Sequence, residues 1–349
     1  MQIPFGLFSK NVGIDLGTAN TLIYLVGKGI VVNEPSIAAV NNKTSQVLAI
    51  GEEAKKMIGR TPSHIDIIRP LINGVISDFE MTQEMLNYFL KRIAAYKSLV
   101  RYNAAVIGVP TNLTEVERKS VEDAVVEAGV ARAYVIEEPL AAALGARLPI
   151  DEPVANMIVD IGGGTTEVAI ISMGGTVRSR SLKIAGEKFS EDIIRFVRDE
   201  FKLDIGIPTA EELKISIGSA APPDQKLELS VRGRDLVTGL PKEITIKDIQ
   251  IRAAISKSIR SVVETIKEVI EVAPPELVGD ILRSGIYLCG GGSLLKGIDH
   301  FISKELNVPV SIVDDPLTCV VRGTGIAVEN LKKYAQILNT PIIPQDIRI

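Results

Sequence analysis

The first forty residues alternate between short apolar runs and glycine turns. Val12–Asp15 and Thr21–Val26 read as strands, Gly27-Lys28-Gly29 as the turn after them, and Gly29–Pro35 and Ile37–Val40 as further short strands. Antiparallel pairing therefore starts the fold. The period then lengthens. Met85, Leu86, Phe89, Leu90 and Ile93 recur every three or four residues behind Asp78, a helix-capping residue type. Ala104–Val109 is a buried-strand run stopped by Pro110. Thr114 followed by Glu117 is a capping-box pattern, with Gly129 placed to close that helix. Tyr134–Ile136 predicts another strand, and Pro139 suits the first turn of a helix over Leu140–Ala146.

The second half repeats this scheme. Ile158–Asp160, Glu167–Ser172 and Val177–Ile184 predict a meander, and Ser190–Phe201 a helix. Between Thr209 and Ile246 the texture changes to a short helix, Ala221-Pro222-Pro223, alternating Leu227, Leu229 and Val231, a Thr238-Gly239 turn, and Ile244 and Ile246. This predicts a small inserted subdomain. Ile255, Ile259, Val262, Ile266 and Val269 then mark a long helix ended by Pro274-Pro275. Two heptads are too few for a coiled coil, so the helix faces a core. Strands alternating with helices predict an α/β fold in which helices layer a sheet.

Composition narrows the class. At 349 residues the chain has room for about two domains. With 39 basic and 43 acidic residues it carries a formal charge of −4, which gives no basic footprint for nucleic acid. Cys289, Cys319, His64 and His300 are too few for a disulfide framework or a Cys/His zinc site. A cytoplasmic protein with neither a membrane span nor a secretory signal is expected.

Chemistry enters at the turns. Val12-Gly13-Ile14-Asp15 empties into Leu16-Gly17-Thr18-Ala19-Asn20, and Met157-Ile158-Val159-Asp160 into Ile161-Gly162-Gly163-Gly164-Thr165. A strand that delivers a carboxylate into a Gly/Thr turn builds a phosphate cradle. Backbone N–H groups approach the phosphate oxygens, hydroxyls add donors, and the carboxylate holds Mg²⁺ through its waters. One such turn is weak evidence, because hairpin turns often contain Gly and Asp. A third, Ile286–Cys289 into Gly290-Gly291-Gly292-Ser293-Leu294, makes packing alone a poor explanation. No Walker A loop and no Gly-x-Gly-x-x-Gly is present. Glu137-Glu138-Pro139 by itself reads first as an acidic helix start complementing the dipole, and second as a carboxylate aimed at a hydrolytic water.

Gly13–Thr18, Asp160–Thr165 and Gly290–Gly292 together resemble the actin/sugar-kinase/chaperone ATPase superfamily. More narrowly, Gly17–Leu22, Gly29–Ser36, Ile136–Pro139 and Thr238–Pro241 resemble the MreB family of bacterial actins, Mbl-type paralogues included, from Val12 to about Leu331. The resemblance implies an actin-like ATPase fold of two related lobes, each with a mixed sheet flanked by helices and a smaller inserted subdomain, with the nucleotide in the cleft between lobes. The implied boundaries are 1–147 for lobe I (small subdomain about 33–72), 148–322 for lobe II (about 185–246), and 323–349 for a C-terminal helix and tail returning to lobe I. Thr18, Ala19 and Asn20 would bind phosphates from one side and Gly162, Gly163 and Gly164 from the other, with Asp15 and Asp160 holding the Mg²⁺ shell. Glu138 would orient the attacking water, assisted by Thr165. Glu211, Glu212, Leu213 and Lys214 match the adenosine helix, and Gly290, Gly291, Gly292, Ser293 and Leu294 the loop beneath purine and ribose. Asn73 departs from the Asp usual in the family.

The resemblance further implies ATP and Mg²⁺ as ligands, homopolymeric filaments, the inner surface of the cytoplasmic membrane, and the cell-wall elongation machinery as partner. Leu99 and Val100, between Lys97 and Arg101, suit an anionic bilayer, as do Phe5, Leu7 and Phe8 beside Lys10. Packing is the plain alternative at both places. A small-molecule kinase would need a base for a substrate hydroxyl, which the Glu-Glu-Pro motif argues against. A chaperone ATPase would need a substrate domain for which about 25 residues after Gly325 leave no room.

Overall fold

A computed structural model describes residues 9–94, 101–222 and 225–338. The chain divides into two compact units, Met1–Pro153 with Ile171–Thr176 and Leu317–Ile349, and Val154–Ile170 with Val177–Pro316.

In the first unit, strands β1 (Ser9–Leu16), β2 (Asn20–Leu25), β3 (Gly29–Pro35), β4 (Arg101–Val109) and β5 (Ala133–Glu137) form one sheet in the order β5-β4-β1-β2-β3. β1 and β2 pair antiparallel with Asp15 opposite Leu22, and β2 and β3 are antiparallel too. β1 and β5 both run parallel to β4. Helices α1 (Phe79–Ala94) and α2 (Glu115–Glu127) bury Met85, Leu86, Phe89, Val121 and Val125 in the same core as Val12, Ile14 and Ile107. Asp78 caps α1 by accepting the Met81 N–H at 2.9 Å, and Thr114 and Glu117 form the expected capping box. Gly129 follows α2 with φ +107°. Helix α3 (Glu138–Gly145) begins two residues earlier than the sequence suggests, so Glu138 lies in its first turn rather than before it.

In the second unit, β6 (Asn156–Ile161), β7 (Thr166–Ser172), β8 (Gly175–Leu182), β9 (Ile286–Cys289) and β10 (Val310–Ile312) form the sheet β8-β7-β6-β9-β10. β9 runs parallel to both β6 and β10. Helices α4 (Gly186–Phe201), α5 (Ile207–Ile217) and α6 (Asp248–Glu271) place Phe189, Ile193, Leu213, Ile255, Ile259, Val262 and Ile266 against Val159, Ile161 and Val168. The inserted region carries a separate sheet of Leu203–Asp204, Glu228–Asp235 and Pro241–Lys247. Pro275 ends nothing by itself; it opens a further helix, Pro275–Ser284, where a missing N–H costs no bond.

Helix α7 (Cys319–Glu329) completes the first unit. It packs on α3 backbone against backbone. A Cβ at Gly323 would lie 1.7 Å from Ala141 O, and one at Gly145 1.9 Å from Cys319 O. The first unit takes in 148–153, 171–176 and 317–322, which the sequence boundaries assign to the second lobe. Hydrogen bonds from Met173 N–H to Glu152 O and from Gly174 N–H to Ile150 O hold the first two of these stretches together.

Candidate functional site

Parallel strands present their carboxyl ends along one edge, and in α/β sheets that edge is where ligands bind. In the first unit Asp15 at the end of β1 pairs with Gly108 of β4, which in turn pairs with Ile136 of β5. The Glu138 side chain runs over that same glycine: a Cβ at Gly108 would sit 3.5 Å from Glu138 Cγ. Asp15 and the buried Glu138 thus gather at one place on one edge. Glu137, the other acid of the pair, is committed elsewhere, accepting the Thr176 hydroxyl at 2.8 Å.

The turn after β1 is braced from below. Ser36 donates its hydroxyl to Gly17 O at 2.6 Å and its N–H to Ala19 O at 2.9 Å. A Cβ at Gly17 would fall 2.8 Å from Asn20 O, so the turn is too tight for any side chain there. Buried Thr18 accepts the Gly74 N–H at 2.8 Å on Oγ1, which leaves its own hydroxyl proton to give to an anion. Gly74 belongs to a tight hairpin, Leu71–Ile72 with Val75–Ile76, whose two turn residues, Asn73 and Gly74, both have positive φ. Asn-Gly is the residue pair such a turn prefers. The turn thus accommodates Asn73, and the dipeptide between two apolar pairs was the missed signal.

In the second unit the turn after β6 closes with the Gly162 N–H on Thr165 O at 2.9 Å. It rests on the start of α4, through Gly186 N–H to Gly162 O at 3.1 Å and Glu187 N–H to Gly163 O at 2.8 Å. Lys214 Nζ braces that junction, donating to Gly186 O at 2.8 Å and Ser190 Oγ at 3.2 Å and pairing with Glu211 at 2.6 Å. Glu211 and Lys214 are thus more than the exposed pair their spacing allows. Leu213 is in the core and Glu212 faces solvent. The third glycine segment is a single 3₁₀ turn, Gly291–Leu294, rather than an open loop; Ser293 bonds back across it, donating its hydroxyl to Gly290 O at 2.7 Å.

Asp160, 6% exposed, pairs in register with Cys289 of β9. Gly290 leaves the carboxylate its space, since a Cβ there would come within 2.2 Å of Asp160 Oδ1. Burial first, and then the neighbouring charge of Glu167, push the Asp160 carboxyl from 3.8 up to about 7, while the Cys289 thiol, donating to it, pulls part of the way back. Glu167 is the residue the sequence reading passed over. It is 1% exposed and accepts the Ser181 hydroxyl at 2.5 Å.

These donor sets fit a hydrated divalent cation with a polyphosphate. Mg²⁺ takes one or two carboxylates, phosphate oxygens and waters rather than a cage of protein ligands. Among the described residues no group of three or more His, Cys, Asp or Glu is placed to ligate a metal. A cavity of about 320 Å³ in the first unit, lined by Leu144, Pro149, Ile150, Ile326, Lys333 and Tyr334, contains none of the expected site residues. Leu99, Val100, Phe5, Leu7 and Phe8 lie outside the described residues.

The family model for MreB/Mbl protein matches residues 9–336. The chain belongs to the MreB/Mbl family. Relatives in that family include the cell shape-determining proteins Mbl of Bacillus subtilis and MreB of Escherichia coli. Mbl is 46% identical over 327 residues, 94% of this chain and 98% of Mbl. MreB is 44% identical over 333 residues, 94% of this chain and 96% of MreB. The crystal structure of MreB5 of Spiroplasma citri bound to ADP matches with a TM-score of 0.90 at 40% identity, covering 94% of this chain and 98% of that one. A MamK double helical filament matches at 0.78 and 23% identity, covering 92% and 99%, and shares the fold. This MreB/Mbl chain has the actin-like α/β fold.

Proposed function

We propose that this chain is an actin-like ATPase that polymerises into membrane-associated filaments and organises cell-wall synthesis and rod shape in a bacterium. One observation carries the reading. Asp15 and Asp160 end the central strands of two sheets with the same strand order, each running into a Gly/Thr turn, in a chain whose ADP-bound relative matches nearly throughout.

The turns at Thr18–Asn20 and Gly162–Gly164 serve one ATP, with amide N–H groups and the Thr18 hydroxyl on its phosphates. Mg²⁺, when bound, neutralises charge on the phosphate oxygens. Asp15 and Asp160 hold its water shell. Glu138, fixed at the start of α3, accepts a hydrogen bond from the attacking water and aims it in line with the γ-phosphate, with Thr165 assisting. Glu211, Glu212, Leu213 and Lys214 on α5 form the adenosine side, where Lys214 also holds the phosphate turn to α4. Gly290, Gly291, Gly292, Ser293 and Leu294 support purine and ribose. Copies join head to tail through a heterologous contact that does not close. Leu99 and Val100, with Phe5, Leu7 and Phe8, meet the inner face of the membrane.

No helix among the described residues is long and apolar enough to cross a membrane, so on this reading attachment is peripheral. Electron microscopy of purified protein with ATP on anionic lipid tests the proposal. Filaments on the lipid are expected; bare lipid, with sugar phosphorylated in a parallel assay, would replace it with a kinase.

A further inference from the structure

Across the β6–β7 turn two acids face each other. The bond from Gly162 N–H to Thr165 O closes the hairpin. Counting outward from it along adjacent strands sets Ile161 opposite Thr166 and Asp160 opposite Glu167. Residues directly opposite on neighbouring antiparallel strands point to the same face, with Cβ atoms about 4.5–5.5 Å apart. Like charges so placed repel, and burial strengthens the repulsion because less water screens it. Both side chains are more than nine-tenths buried, at 6% and 1% exposure. Each is also directed by a donor, Asp160 by the Cys289 thiol and Glu167 by the Ser181 hydroxyl on β8. A fold that holds two buried carboxylates against each other, at a turn suited to phosphate, gains most when a cation arrives.

We propose that Glu167 is a positioning residue for the bound divalent cation: opposite Asp160 and fixed by Ser181, it deepens the negative potential that the cation's hydration shell meets. The inference rests on reading the chain as a Mg²⁺-dependent nucleotide binder. The plain alternative makes Glu167 only the buried acceptor for Ser181. The two differ in sign. An acceptor stabilises the metal-free protein, whereas a like-charge partner destabilises it and tightens Mg²⁺.

Two measurements on the full chain separate them. Mg²⁺ is titrated at fixed fluorescent ADP, and the nucleotide-free protein is melted in EDTA at pH 8. Glu167→Gln should raise the Mg²⁺ midpoint about tenfold, the lower end for groups supporting a metal ligand, and leave ADP binding in EDTA unchanged. It should also raise the Tm in EDTA by about 2–4 °C. Glu167→Asp, which keeps the charge, should recover most of the midpoint. An unmoved midpoint, or a lower Tm in EDTA, overturns the proposal. Should Glu167→Gln not fold, Asp160→Asn removes the other charge of the pair and must raise the Tm in EDTA; a fall there overturns it equally. Wild-type ADP binding indifferent to Mg²⁺ would sink the cation reading together with this inference. A Mg²⁺-dependent wild type with an indifferent Glu167→Gln sinks this inference alone.

Discussion

Asp15 and Asp160 have the same neighbours in kind, a parallel strand on one side and a glycine turn ahead, though Asp160 is buried and Asp15 only partly so. Asp151 is their counter-example. It is exposed and ion-paired to Lys333 at 3.1 Å, an arrangement that water screens. Asp15→Ala or Asp160→Ala should weaken Mg²⁺-dependent ATP binding about tenfold or more, roughly 1.4 kcal/mol, while Asp151→Ala leaves it unchanged. Titration calorimetry reads this directly, and equal affinities for the three variants would remove the two-turn reading. The carboxylates, the glycine turns and the Glu-Glu-Pro step were all legible in the sequence, because each is a local pattern with a local reason. Glu167 was not. Its role depends on which residue lies across the hairpin, and a strand sequence does not announce its register. The resemblance named Glu138 rather than Glu137, and in the fold Glu137 accepts from Thr176 while Glu138 lies over Gly108.

At the scale of elements, α7 holds α3, and α3 begins with Glu138. The two helices meet through Ala141, Gly145, Cys319 and Gly323 so closely that no methyl group fits between them. Gly323→Ala should destabilise the protein by about 1–3 kcal/mol through overpacking, read as a fall of several degrees in Tm. The same replacement at Gly279, where a Cβ would meet nothing within 4 Å on an open helix face, should leave the Tm unchanged or raise it slightly. Equal melting for both variants would remove the helix–helix contact from the account. Helix α7 was expected from the resemblance, as a C-terminal helix within 323–349, and not from its own residue pattern. Gly323 and Gly325 lower its intrinsic propensity, and only packing against α3, β1 and the Tyr24 ring makes the helix form. Capped or strongly periodic elements, α1, α2 and α6, were read from the sequence because their stop and start signals lie within them. The sheet Ala38–Asn41, Gln46–Ile50 and Ile65–Ile68 was only partly anticipated, since its later strands are short and half exposed.

At the scale of the whole molecule, the 145-residue offset between Asp15 and Asp160 turns out to be a repeat of topology. The orders β5-β4-β1-β2-β3 and β10-β9-β6-β7-β8 correspond strand for strand, three consecutive strands followed by two that arrive by crossover. Assembly sets the energetics of membrane binding on the proposed reading. An apolar side chain contributes at most about 1.5–3 kcal/mol when fully buried, so a single copy with Leu99 and Val100 holds lipid weakly. A filament repeats the contact, and linked weak sites hold where one does not. Replacing Leu99 and Val100 together by Ser should abolish co-sedimentation with anionic liposomes and spare ATP-dependent filaments in solution. Loss of binding on removing residues 1–10, with the Ser variant still pelleting, would move the anchor to Phe5, Leu7 and Phe8. The central claim is hydrolysis directed by Glu138, and phosphate release from Mg²⁺·ATP tests it most directly. Glu138→Ala should release phosphate at least about tenfold more slowly than the wild type, near 1.4 kcal/mol of barrier, while binding ATP as tightly. Release at the wild-type rate from that variant would contradict the assignment.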